Sequence, residues 1–257
     1  MGLRDLTDAQ LARAVADEAG RLLLDIRARG GCSGKDMGDR GDREADDLIL
    51  ARLREWRPAD FILSEESHDD RRRCSASRVW VVDPLDGTRE YCEGRDDWAV
   101  HVGLAIDGRP AVGAVAVPMR EEVFATDDPR PAPPVASARP RMVASRTRCP
   151  ALVEQVAAAL DAEVITMGSA GAKAMAVVDG RADIYLHSGG QYEWDNCAPV
   201  AVAMAAGLHA SRIDGSMLRY NCEDPMLPDL LICRPEWAEQ VLGLVSTLSR
   251  SRERNDT

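Results

Sequence analysis

Three acidic groups stand at points where a chain can present side chains rigidly. Glu65 and Glu66 follow the strand-like run FIL after Ser64, Asp83 and Asp86 follow VWVV in the stretch VVDPLDGTRE, and Asp195 opens the run DNCAPVAVAMAA. Strand ends and helix starts are where scaffolds expose functional groups to clefts. Within DPLDGT, Pro84 fixes φ and removes a donor while Gly87 permits a tight turn, so both aspartates can face one side. Each group also has an innocent use: a helix cap for Asp195, a solvated strand end for the glutamates, an acidic turn for DPLDGT. Converged carboxylates, however, repel one another unless a cation joins them. Hard cations such as Mg²⁺ take carboxylate, carbonyl and water oxygens and leave room for a phosphate. The chemistry on offer is metal-assisted work on a phosphate ester.

The elements that must position these groups follow from periodicity. Thr7 to Gln10 fits a capping box, and Leu11, Val15, Ala19, Leu22, Leu23 and Ile26 recur at helical spacing until Gly30-Gly31. A polar, glycine-bearing stretch from 30 to 42 leads into a second helix with Ala45, Leu48, Ile49, Leu53 and Trp56 on its buried face, ended by Pro58. Short strands are expected at 61–63 and 79–82. Trp98 to Ile106 alternates, Asp107-Gly108 turns, and 111–117 returns, which predicts a long hairpin. Five prolines in residues 128–140 forbid a regular element there. Beyond them come a strand at 141–145, a helix at 151–160, a strand at 163–167, a helix at 170–179, a strand at 183–187, a helix from Asp195, a strand at 229–233 and a helix at 235–248. The order predicts an α/β protein with an α+β first half, 1–127, a proline-rich connection, 128–140, and an α/β second half, 141–257.

Composition narrows the function classes. A chain of 257 residues with 45% hydrophobic residues can bury a sizeable core. Its net charge of -11 argues against holding a nucleic acid polymer by phosphate neutralisation. No run approaches the roughly 18 apolar residues of a membrane span, and the N-terminus lacks a secretory apolar core, so a soluble cytoplasmic protein is expected. Seven cysteines without CxxC or Cys/His ligand spacing read as free thiols rather than a zinc site.

Taken jointly and in order, the strand-end Glu65-Glu66, DPLDGT at 83–88 and Trp194-Asp195 followed by a small-residue helix resemble the lithium-sensitive, Mg²⁺-dependent inositol monophosphatase and fructose-1,6-bisphosphatase superfamily. The resemblance covers residues 10 to 210. A nucleophilic D-x-D reading fails, because Pro84 stands two positions before Asp86. The fold implied is a layered αβαβα sandwich with the metals between the halves, commonly in a homodimer.

The resemblance also assigns roles. One ion falls to Glu65, Asp83 and the carbonyl of Leu85, a second to Asp83, Asp86 and Asp195, and a weaker third near Glu65; Mn²⁺ can substitute for Mg²⁺. Two such ions, roughly 3.5–4 Å apart, clamp a phosphate and lower the pKa of a bound water. Thr88 orients or deprotonates that water, held by an acid matched to Asp46, and Glu66 supports Glu65. The family's usual threonine before that acid is Arg43 here. The amides of Gly87 and Thr88 are expected to receive a phosphate oxygen.

For the ester itself, the run from Gly168 and Ser169 to Lys173 and the segment WDNCAP around Asp195 resemble the 3'(2'),5'-bisphosphate nucleotidases. Ser145 and Arg146 resemble a segment that holds a nucleotide's second phosphate, with Arg148 where that family often has histidine. The implied reaction is hydrolysis of the 3'-phosphate of 3'-phosphoadenosine 5'-phosphate (PAP), and of its sulfated relative PAPS, in sulfur assimilation. Inositol monophosphates or fructose-1,6-bisphosphate are the alternative substrates, and a non-catalytic metal-binding regulator is the alternative of another class.

Overall fold

The computed structural model describes residues 6–31, 33–131, 139–147 and 149–255. Helix α1 (Asp8–Arg29) starts at the expected capping box, with the Thr7 and Gln10 side chains exchanging bonds with each other's backbone, and ends at Gly30 with φ of 65°. Helix α2 (Lys35–Trp56) begins seven residues before the glycine-bearing stretch expected as a loop runs out. Its glycines serve close packing: a Cβ on Gly38 would lie 2.7 Å from both Cys92 Sγ and Thr88 Cγ2.

The first sheet contains β1 (Phe61–Ser64), β2 (Arg78–Asp86), β3 (Ala99–Ile106), β4 (Arg109–Val117) and β5 (Glu122–Ala125) in that spatial order, with the short helix α3 (Thr88–Cys92) after β2. Only the β1–β2 pair is parallel. The second half adds β6 (Arg141–Ser145), α4 (Ala151–Ala159), β7 (Glu163–Met167), α5 (Ala170–Val178), β8 (Ile184–Tyr192), α6 (Glu193–Ala205), β9 (His209–Ser211), β10 (Met226–Cys233) and α7 (Pro235–Asn255). Its sheet runs β7-β6-β8-β10-β9. The described residues thus form two five-stranded sheets and seven α-helices in a mixed α/β fold.

Three apolar cores define the layers. Leu11, Val15, Leu23, Ile49 and Leu53 of α1 and α2 cover Trp80, Val82, Val100 and Leu104 on one face of the first sheet. Val79, Val81 and Val115 on its other face meet Val177 and Val200 of α5 and α6, which also meet Tyr185 and Ile232 of the second sheet. Val153 and Val156 of α4 and Val241 and Val245 of α7 close the far side over Met142, Ile184 and Leu231. A sheet with apolar residues on both faces must be covered twice, and α5 and α6 serve both sheets at once. Their small residues allow this: a Cβ on Gly113 of β4 would lie 2.4 Å from the carbonyl oxygen of Ala198 in α6, so the helix rests directly on the strand backbone. The order of layers is αβαβα.

Candidate metal and phosphate site

The end of β2 explains how two aspartates three apart share a side. Residues i and i+3 of a regular strand face opposite ways. In the β2–β3 ladder Asp83 pairs with His101 and Asp86 with Ala99, with the register shifting between them. The irregularity re-aims the second side chain, as bulges do, and Leu85 N–H donates to Asp83 Oδ1 at 3.0 Å within it. Asp195 arrives from the first turn of α6, where its Oδ2 accepts the Tyr192 N–H at 2.6 Å. The helix start is pinned by the buried Glu193, whose carboxylate accepts the N–H groups of Asn221 and Cys222 at 2.6 and 2.7 Å. Asp83, Asp86 and Asp195 each offer an oxygen, and these atoms lie within 4.8 Å of one another. Glu65, just past β1, donates its backbone N–H to the Val82 carbonyl at 3.2 Å and turns its carboxyl toward Asp83 and this group.

Burial and mutual repulsion shape the protonation of the cluster. Burial first, then Glu65, Asp86 and Asp195, hold the Asp83 carboxyl well above the usual carboxylate range. Burial and then Asp86 raise Asp195 to about 6. Burial, then Asp195 and Glu66, raise Glu65 to about 7. Asp86 goes the other way. Burial opposes its charge, but His101, the Gly171 N–H and Lys173 outweigh burial and keep it below the usual range. A donor set made of carboxylate oxygens, buried together and short of positive charge, fits a hard divalent cation.

His101 is the functional residue that sequence reasoning missed. It is fully buried, with Nε2 3.1 Å from Asp86 Oδ2 and Nδ1 3.0 Å from the Trp194 carbonyl oxygen, so it ties the β2 turn to α6. A histidine among the apolar residues of AVHVGLAI, on the strand after the acidic turn, was the available signal. The α5 start also serves Asp86, whose Oδ1 and Oδ2 accept the N–H groups of Ala170 and Gly171 at 3.1 and 2.6 Å. Gly171 must be glycine, because a Cβ there would lie 2.1 Å from His101 Nε2.

The acid beside Thr88 is a correction. Thr88 donates to Asp42 Oδ1 at 3.2 Å and lies 3.2 Å from the Leu85 carbonyl oxygen. Asp46, the residue expected there, is one helical turn further on and turns to β1, where its two oxygens accept the Ser64 and Ser67 hydroxyls at 2.5 and 2.6 Å. The reason is the close approach at Gly38 and the helical start of α2, which bring Asp42 rather than Asp46 against α3. Burial and then Glu66 raise the Asp42 carboxyl to about 7. Glu66 is exposed as a residue, but partial desolvation of its carboxyl, then Asp46 and Asp39, raise it. Asp46 clasps the two serines that flank Glu65 and Glu66.

The residues expected to meet a second phosphate are arranged differently from expectation. Lys173 is 4% exposed, its Nζ donates to the Gly168 carbonyl and lies 5.5 Å over the Tyr185 ring, and its nearest charges include Asp86, Glu90 and Asp195. It lies buried among these carboxylates rather than on the surface. Ser169 caps α5 through a 2.9 Å bond from the Ala172 N–H, and the Gly168 N–H is taken by Asp97 Oδ2 at 2.7 Å. The helix start expected to take a phosphate is therefore filled by Asp86 and Asp97. Arg146 bonds Glu90 Oε1 at 2.8 Å and Glu93 Oε2 at 2.6 Å, joining the second sheet to α3. Ser145 lies 3.5 Å from the Thr147 hydroxyl, and Arg148 lies outside the described residues. Gly87 caps α3 with φ of 92°, which favours glycine.

Comparison with known proteins agrees with this geometry. The inositol monophosphatase family pattern matches residues 6–133 and 134–250. The chain is 50% identical to the 3'-phosphoadenosine 5'-phosphate phosphatase of Mycobacterium leprae, with 94% of each covered. It is 30% identical to the 3'(2'),5'-bisphosphate nucleotidase CysQ of Escherichia coli over 72% of this chain and 80% of that one. Among solved structures, CysQ from Bacteroides thetaiotaomicron superposes with a TM-score of 0.78 at 27% identity, covering 91% of this chain and 99% of that one. With the two-sheet sandwich, the DPLDGT turn and the convergence of Asp83, Asp86 and Asp195, these matches place the chain in the inositol monophosphatase family.

Proposed function

We propose that the protein hydrolyses the 3'-phosphate of PAP with water to give AMP and inorganic phosphate, and acts on PAPS at the same bond. The observation that carries this reading is the buried carboxylate cluster, set in a chain half identical to a PAP phosphatase along 94% of its length. The residues fit Mg²⁺ as cofactor: Glu65, Asp83 and the Leu85 carbonyl would hold one ion, and Asp83, Asp86 and Asp195 would hold another. When bound, these ions supply charge for the phosphoryl oxygens and lower the pKa of a water. The chain's residues do the rest. Thr88, bonded to Asp42, orients the attacking water and passes its proton to that carboxylate, whose raised affinity for protons suits a base working near neutral pH. His101 and the amides of Ala170 and Gly171 fix the Asp86 carboxylate so that it does not reorganise during the reaction.

The test is a kcat/KM panel over PAP, PAPS, inositol 1-phosphate and fructose-1,6-bisphosphate with Mg²⁺ present. The reading expects PAP and PAPS to lead. A higher value for an ester without adenine overturns it.

A further inference from the structure

One aromatic pair beside the site is used by nothing described above. Tyr192, the last residue of β8, stacks on Trp194 with ring centroids 4.7 Å apart and planes 7° from parallel. Trp194 packs on the middle core, and its carbonyl is held by His101, so the lower ring is fixed. Tyr192 is nonetheless 46% exposed, although its own backbone N–H is bonded to Asp195. Its ladder partner across β10 is Met226, itself 53% exposed. A flat ring with one face covered and an exposed apolar neighbour is thus carried by a residue whose backbone N–H bonds Asp195 of the carboxylate cluster.

We propose that Tyr192, backed by Trp194, is the stacking platform for the purine ring of the substrate, with Met226 at its edge. The proposal rests on the nucleotide reading given above and names the residue that makes the site prefer a base-bearing ester. A π face gains most from another flat π ring, and every base presents one. Tyrosine supplies such area with little rotamer freedom to lose. A cyclitol or a bare sugar phosphate has no flat π face to offer it.

The experiment compares PAP with ribose 3,5-bisphosphate, which keeps both phosphates and lacks the base, for wild type, Tyr192→Ala and Tyr192→Phe. The readout is the ratio of kcat/KM for PAP to that for the base-free ester. Loss of one base–aromatic stack corresponds to roughly a 5- to 150-fold fall in that ratio for Tyr192→Ala, carried by KM. Tyr192→Phe keeps the ratio, because the ring and not the hydroxyl does the work. A ratio unchanged in Tyr192→Ala, in an enzyme whose wild type prefers PAP, overturns the platform alone. Equal losses on both esters also overturn it, because they mark a disturbed Asp195 rather than a lost stack. A wild type that shows no preference for PAP over the base-free ester overturns the nucleotide reading itself.

Discussion

Replacing Asp42 and Asp46 one at a time separates two acids that lie one helical turn apart and do different work. Asp42→Asn removes the acid bonded to the Thr88 hydroxyl but leaves an oxygen that can still accept that bond. Loss of a positioned general base costs about 10²- to 10⁴-fold, so kcat for phosphate release should fall in that range with KM little changed. The fold should not suffer. Burial and Glu66 hold the Asp42 carboxyl at about 7, so its ionisation destabilises the metal-free protein progressively as pH rises from the unfolded value toward 7, and the amide removes that charge. Asp46→Ala, in contrast, removes the acceptor of two hydroxyl bonds at 2.5 and 2.6 Å in a buried setting. At about 1.5 kcal/mol for each bond, the loss is about 3 kcal/mol, or a Tm lower by roughly 6–12 °C for a chain of this size. The assays are phosphate release at saturating Mg²⁺ and thermal melting in EDTA. Near-normal kcat in Asp42→Asn, or a kcat loss in Asp46→Ala as large as that in Asp42→Asn without a change in Tm, would refute the reasoning.

Three further outcomes follow from the same geometry. His101→Ala leaves Asp86 buried without its imidazole partner, and removing one member of a buried pair costs about 3–5 kcal/mol, so Tm should drop clearly even without metal; an unchanged Tm contradicts the pairing. In EDTA the protein should lose stability between about pH 4 and 8, because Glu65, Asp195 and Asp83 all bind protons more tightly folded than unfolded; Mg²⁺ should restore it most at the upper end, and melting curves across pH decide. Family membership predicts that millimolar lithium lowers the Mg²⁺-dependent rate, which a phosphate-release assay with lithium and potassium chloride compares directly.

Much of the architecture was legible because it rests on local signals. The capping box at Thr7, the hairpin turn at Asp107-Gly108 and the strands at 141–145 and 163–167 all occur where period and turn chemistry put them. The acidic cluster was legible for a similar reason, since DPLDGT carries its own turn. What escaped was set by contacts distant in sequence. Residues 35–42 look like a loop because glycines usually interrupt helices, yet here Gly38 lets α2 press on α3, and that contact chooses Asp42 over Asp46. Lys173 and Arg146 look like phosphate contacts by residue type, yet the fold surrounds them with Asp86, Glu90 and Glu93. His101 offered no motif, only an imidazole in an apolar strand, and its meaning depends on Gly171 leaving room for its ring.

In the proposed reading, four carboxylates from three strand ends and helix starts form a metal site that drives phosphate release. Asp83 tests it best, because Asp86 also carries structural bonds to α5 and His101, while Asp83 accepts the local Leu85 N–H and otherwise faces the like charges of Glu65, Asp86 and Asp195. The measurement is PAP hydrolysis against Mg²⁺ concentration for wild type and Asp83→Asn, with melting in EDTA as the control for folding. Wild-type turnover should vanish in EDTA and return with Mg²⁺. Asp83→Asn should melt no lower than wild type in EDTA yet lose at least roughly 10³-fold in rate, equivalent to about 4 kcal/mol of transition-state stabilisation. A folded Asp83→Asn variant within tenfold of the wild-type rate, or turnover that persists in EDTA, would contradict it.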